Sequence, residues 1–201
     1  STYRSPFTGL DTGYITITKF SPDIQLIWNQ AFPFYNPYSA IYGIVESDDG
    51  SIFLNYVEGK NFGDNLSLMK LNSLGEFEWA KDYRTEGQFI LGYVGSMTQD
   101  KDCIYLMNWA TPDVLFLKIF KTSGTLAWSK GYRVPGVDQT LVANDLSFIG
   151  ENLVVQGRAT APLFSKDVVM LMNKDGVIKQ ARSYSENNQS LNLEMIVTQN
   201  H

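Results

Sequence analysis

The stretch Val114-Leu115-Phe116-Leu117-Lys118-Ile119-Phe120, followed by a turn through Gly124 and then Leu126-Ala127-Trp128, decides the fold, because the chain writes this phrase four times. Apolar residues alternate up to a lysine, a turn follows, and the next segment carries a tryptophan with an aromatic four residues later (Tyr132). One repeat earlier, Leu66-Ser67-Leu68-Met69-Lys70 leads through Gly75 to Trp79 and Tyr83. Earlier still, Gly13-Tyr14-Ile15-Thr16-Ile17-Thr18-Lys19 leads through Ser21-Pro22-Asp23 to Trp28 and Phe32. The last copy, Asp167-Val168-Val169-Met170-Leu171-Met172-Asn173, leads through Gly176 to Gln180, which stands at the tryptophan position, and then to Tyr184. Trp28, Trp79 and Trp128 are 51 and 49 residues apart, and Gln180 follows 52 later. A period near fifty with strand-like content is the mark of propellers and related β arrays.

Outward from this phrase, each repeat supplies two more strands. Third strands are expected over 40–45, 90–95, 141–146 and 191–197, and fourth strands over 51–56, 103–108 and 153–156. The turns Asp48-Asp49-Gly50, Asp100-Lys101-Asp102 and Gly150-Glu151-Asn152 join them. Glycine admits positive φ, and Asp and Asn close turns through their side chains. Apolar positions fall two apart rather than three and four, so no amphipathic helix of ten residues is expected. The fold expected is all-β: a propeller-like array of about four four-stranded antiparallel blades forming one repeat domain over 1–201. The units run approximately 11–63, 64–112, 113–166 and 167–201, with 1–10 as a partial fourth strand. A lone sheet cannot bury both faces, so neighbours must cover it, and the repeated Trp reads as the plug between them. Two arrangements suit the ends. Either the N-terminal strand completes the last sheet and closes a ring, or the chain is part of a longer array that pairs through strand exchange.

The phrase resembles β-propeller repeats of large secreted and surface proteins of bacteria and protists. It is also similar to the tryptophan-docking repeat of quinoprotein dehydrogenases, in which a Gly and a Trp four residues later lock neighbouring blades. Gly75/Trp79 and Gly124/Trp128 have that spacing; the first unit lacks the Gly, and the fourth keeps Gly176 without the Trp. The resemblance implies blade locking by Trp28, Trp79, Trp128, Gly75, Gly124 and Gly176. Quinoproteins have about eight blades and a cofactor over the central axis; with four units, no cofactor is expected here.

Composition narrows function by exclusion. The chain has 201 residues, is 44% hydrophobic and 18% charged, and carries a net charge of −5 with basic residues scattered singly. Non-specific binding to nucleic acid or to anionic lipid is therefore disfavoured. No apolar run approaches the roughly 20 residues of a membrane-spanning helix. The chain opens at Ser1 without a signal-peptide pattern, which reads as a mature product or a piece of something longer. His201 is the only histidine and Cys103 the only cysteine, which disfavours Ser-His-Asp and Cys-His catalysis and zinc sites. Cys103 sits in an apolar run and reads as a small buried residue. The acidic turns lack the ligand ladder of a calcium loop and read as polar hairpins.

Two features point outward. The triplets Asn65-Leu66-Ser67 and Asn188-Gln189-Ser190 are glycosylation sequons, the second in a polar loop. The segment from Phe32 through Phe34 and Tyr35 to Tyr38, stiffened by Pro33 and Pro37, is an aromatic loop in one unit only and a candidate contact surface. The expectation is a non-catalytic structural or interaction module, extracellular or on a cell surface, that binds a protein partner or copies of itself in a filament-type assembly. The alternatives are part of a propeller enzyme (quinoprotein-like or carbohydrate-active) or a monomeric ligand-binding propeller.

Overall fold

A computed structural model describes residues 3–4, 11–34, 40–57, 66–83, 96–110, 113–133, 140–161, 164–184, 190–192 and 196–200. All regular structure among them is antiparallel strand; none of it is helix. The chain divides into two compact units, residues 1–85 and 86–201, each holding two sheets.

The first unit contains β1 (Tyr3–Arg4), β2 (Asp11–Phe20) and β3 (Leu26–Phe34) in one sheet, and β4 (Ala40–Glu46), β5 (Ile52–Val57), β6 (Leu66–Leu71) and β7 (Phe77–Tyr83) in the next. The second unit contains β8 (Ser96–Gln99), β9 (Cys103–Ala110), β10 (Asp113–Phe120) and β11 (Leu126–Arg133), then β12 (Thr140–Ile149), β13 (Asn152–Ala161), β14 (Phe164–Asn173) and β15 (Ile178–Tyr184). The sheets take strands three and four of one sequence repeat together with strands one and two of the following repeat. The hydrogen-bonded frame is thus shifted by two strands from the frame in which the motif is read. In the second unit, turns of two to five residues join β8 to β11 and β12 to β15, and longer segments, 84–95 and 134–139, precede each sheet.

The ends follow the same frame. β1 pairs with β2 (Tyr3↔Thr12, Arg4↔Asp11), as β5 pairs with β6. The C-terminal stretch gives two short strands. β16 (Ser190–Asn192) extends the fourth sheet beside β15, and β17 (Ile196–Asn200) extends the third sheet beside β11. Among the described residues the sheets have three, four, five and five strands. The expected strand over 90–95 lies outside the described residues; β8 begins at Ser96.

Alternation sorts the strands into faces. Toward the following sheet, β2 and β3 present Ile15, Ile17, Trp28 and Phe32. These pack on Ile52, Leu54, Tyr56, Met69 and Leu71 of the second sheet. The second unit repeats this with Val114, Phe116, Trp128 and Tyr132 against Val155, Val168, Met170 and Met172. Cys103 is buried in that second core, as the apolar run around it predicts.

Candidate functional site: turns received by a neighbouring sheet

The hairpin between the lysine strand and the tryptophan strand is built alike in three sheets. The backbone of its leading residue donates to the residue four on and accepts from the residue three on: Ser21 with Gln25 and Ile24, Asn72 with Glu76 and Gly75, Asn173 with Val177 and Gly176, all at 2.9–3.0 Å. The leading side chain closes the turn. Asn72 Oδ1 accepts from the amides of Leu74 and Glu76, and Asn173 Oδ1 from those of Asp175 and Val177, at 2.8–3.0 Å. Ser21 Oγ reaches one amide, Gln25, at 3.1 Å. In the third sheet the turn is one residue longer, closing from Phe120 to Thr125. Gly75, Gly124 and Gly176 have φ of 80°, 64° and 72°; in the first sheet Ile24 holds the same left-handed conformation, at 61°.

Each of the two turns described in a neighbour's grip is held by its main chain. Trp28 Nε1 donates to the Ser73 carbonyl at 3.1 Å, and the indole lies flat over Gly75. Trp128 Nε1 donates to the Lys174 carbonyl at 3.2 Å. Lys130 Nζ donates to the Asp175 carbonyl at 2.6 Å, and the Tyr132 hydroxyl to the Gly176 carbonyl. Three successive carbonyls, 174 to 176, therefore meet three donors spaced two apart on β11. A turn carbonyl taken from water must find a donor, and this row supplies them. Lys118 Nζ adds a second donor to the Lys174 carbonyl at 3.2 Å. Burial pushes the Tyr132 hydroxyl well above the ordinary tyrosine range, so it stays a donor.

The glycines answer a second demand. A Cβ on Gly75 would lie 2.8 Å from Trp28 Cδ2, and one on Gly176 would lie 2.8 Å from the Tyr132 oxygen and 3.1 Å from Trp128 Cη2. Trp of one sheet and Gly of the next sheet's turn thus meet at Trp28/Gly75 and at Trp128/Gly176. Trp79 is half-buried, its ring centroid 6.1 Å from that of Phe53, and among the described residues its buried Nε1 meets no hydrogen-bond partner.

The acidic residues serve the turns and strand ends. Asp100 Oδ1 accepts from the amides of Asp102 and Cys103, and Oδ2 from the Tyr105 hydroxyl at 3.0 Å, with Lys174 Nζ at 3.6 Å. Burial alone would raise its pKa; the two amides, the hydroxyl and Lys174 together outweigh burial and hold the carboxyl below the usual range. Asp113, buried at the start of β10, accepts from Arg133 Nε at 2.6 Å. Asp49 Oδ1 caps its own hairpin through the Ser51 amide.

Phe32 lies on β3 with its ring turned into the first-unit core. The Phe34 backbone ends β3, while Tyr35, Tyr38, Asn65 and Asn188 lie outside the described residues. The crevice beside Phe32 is apolar, lined by Ile15, Leu54, Tyr56 and Met69, and its volume is about 10 Å³, the room of one water. Sequence reasoning missed Lys130 and Tyr132 as receiving donors and Asn72 and Asn173 as turn closers. The signal is present in Trp-x-Lys-x-Tyr at 79–83 and 128–132, whose spacing of two puts all three side chains on one face. No protein-family model and no curated protein matches the chain.

Proposed function

We propose that the chain is a non-catalytic structural or interaction module of propeller-type blades that associates with copies of itself, outside the cell or on its surface. One observation carries this reading: the turn 174–176 is gripped through its main-chain carbonyls by Trp128, Lys130 and Tyr132 of the preceding sheet. Such a grip is made on main-chain carbonyls and asks of the turn's side chains only room at the position of Gly176. Any sheet presenting the same turn can enter it, so the interface is extensible in the way of repeat arrays. The two sequons support a secretory route.

Light scattering across a concentration range tests the association. A mass rising in multiples of 22.7 kDa supports it, and a single-chain mass at every concentration contradicts it. A glycosidase-sensitive mobility shift of the secreted chain, lost in Asn188→Gln, tests the route; no shift contradicts it.

A further inference from the structure

We propose that the outward face of the fourth sheet is a docking site for the 21–25 turn of a second copy of this chain. The proposal rests on the self-association reading and names its interface. The register aligns β15 with β11: Leu171 opposes Gln180 as Lys118 opposes Trp128. Gln180, Arg182 and Tyr184 therefore occupy the positions of Trp128, Lys130 and Tyr132, the three donors that grip turn 174–176. All three are exposed, and with Val169 and Leu171 they line an open cleft. With its amide oxygen turned toward Arg182, Gln180 accepts from Nε and Nη2 at 2.5 and 2.7 Å.

The matching turn belongs to the first sheet. Pro22, Asp23 and Ile24 stand where Lys174, Asp175 and Gly176 stand, in the same backbone geometry. Their carbonyls are the acceptors for Gln180, Arg182 and Tyr184, and the Asp23 carboxylate, exposed on the turn, adds charge complementarity to Arg182. The size relation of the lock is reversed. A Cβ at Gly75 would collide with Trp28 and one at Gly176 with the Tyr132 oxygen, so Ile24 cannot receive an indole, and the exposed Tyr184 must shift its hydroxyl to admit it. Gln180 is the one residue at the tryptophan position that offers none. The faces agree as well: Phe20 is 53% exposed, while Leu71 and Met172 at the same position are fully buried in the cores against the preceding sheet. Leu171 and Val169 are the partners that would cover it. The interface is heterologous, so it propagates from copy to copy.

The test uses two variants of the full chain, both changed only at exposed positions. Q180E/R182E turns the donors into carboxylates, and D23R opposes Arg182 on the receiving turn. Each is expected to melt like the parent and to stay at single-chain mass where the parent assembles. Variants that assemble as the parent does overturn this interface and leave self-association standing. A parent that remains a single chain at every concentration overturns both.

Discussion

The Trp28 indole lies so close over the Cα of Gly75 that a methyl group there would sit 2.8 Å from Cδ2, inside van der Waals contact. Gly75 also has a φ of 80°, so two demands meet at one residue. Gly150, with a φ of 59° and nothing within 4 Å of its missing Cβ, faces only the backbone demand. Gly150→Ala is expected to cost about 1 kcal/mol of left-handed strain. Gly75→Ala adds a collision worth about 1–3 kcal/mol more. Urea denaturation of the two variants separates the terms; equal costs would contradict the docking geometry.

Ile24 holds a left-handed conformation that costs a β-branched residue about 1–2 kcal/mol. Ile24→Gly removes that strain against a flexibility cost of about 0.5–1 kcal/mol in the unfolded chain. A net gain of about 0.5–1 kcal/mol is expected, read as a higher urea midpoint at unchanged slope. A loss of stability would mean that the Ile24 side chain makes a contact worth more than its strain.

Tyr132→Phe removes the donor to the Gly176 carbonyl and keeps the ring, which packs edge-on to Phe116 at 5.4 Å. Leaving a buried carbonyl unpaired is expected to cost about 1–3 kcal/mol. The raised hydroxyl pKa also gives a sign: stability from this tyrosine is complete below about pH 10 and is lost as pH climbs through its higher folded value. The stability gap between parent and variant should narrow in alkali. A gap that does not change with pH would contradict the assignment.

Asp100 gives the opposite dependence. Its carboxyl is held below the usual range, so its stabilisation is present above about pH 4 and fades as pH falls through the lowered folded value. Asp100→Asn keeps an acceptor and loses the charge; it is expected to cost about 1 kcal/mol at neutral pH and almost nothing in strong acid. Melting curves between pH 2 and 7 read this directly, and a constant difference would remove Asp100 from that role.

The strands were legible because alternation and turn chemistry agree in every repeat. Lys70 opposite Trp79 and Lys118 opposite Trp128 follow from a tight turn between alternating runs. The grouping into sheets was not legible, because the tryptophan phrase marks the middle of the sheet motif and not its boundary. Nor could the first unit's missing glycine be read as a turn of the same shape. Isoleucine at positive φ is a local conflict, which only the hydrogen bond from the Ile24 amide to the Ser21 carbonyl reveals. The docking partner of each Trp was also hidden, because Trp28 and Gly75 lie 47 residues apart and spacing within one repeat cannot name a contact between two. Phe32 belonged to an aromatic-looking loop by composition and to β3 by pairing with Ile15.

The central claim is that tryptophan on one sheet and glycine in the next sheet's turn form one lock. A double-mutant cycle over Trp28→Leu and Gly75→Ala, by urea denaturation, tests it most directly. If the indole is what forbids a side chain at 75, the cost of Gly75→Ala falls to the strain seen at Gly150→Ala once Trp28 is gone, giving a coupling of about 1–3 kcal/mol. Costs that add to within about 0.5 kcal/mol would show two independent residues, and the lock would not exist.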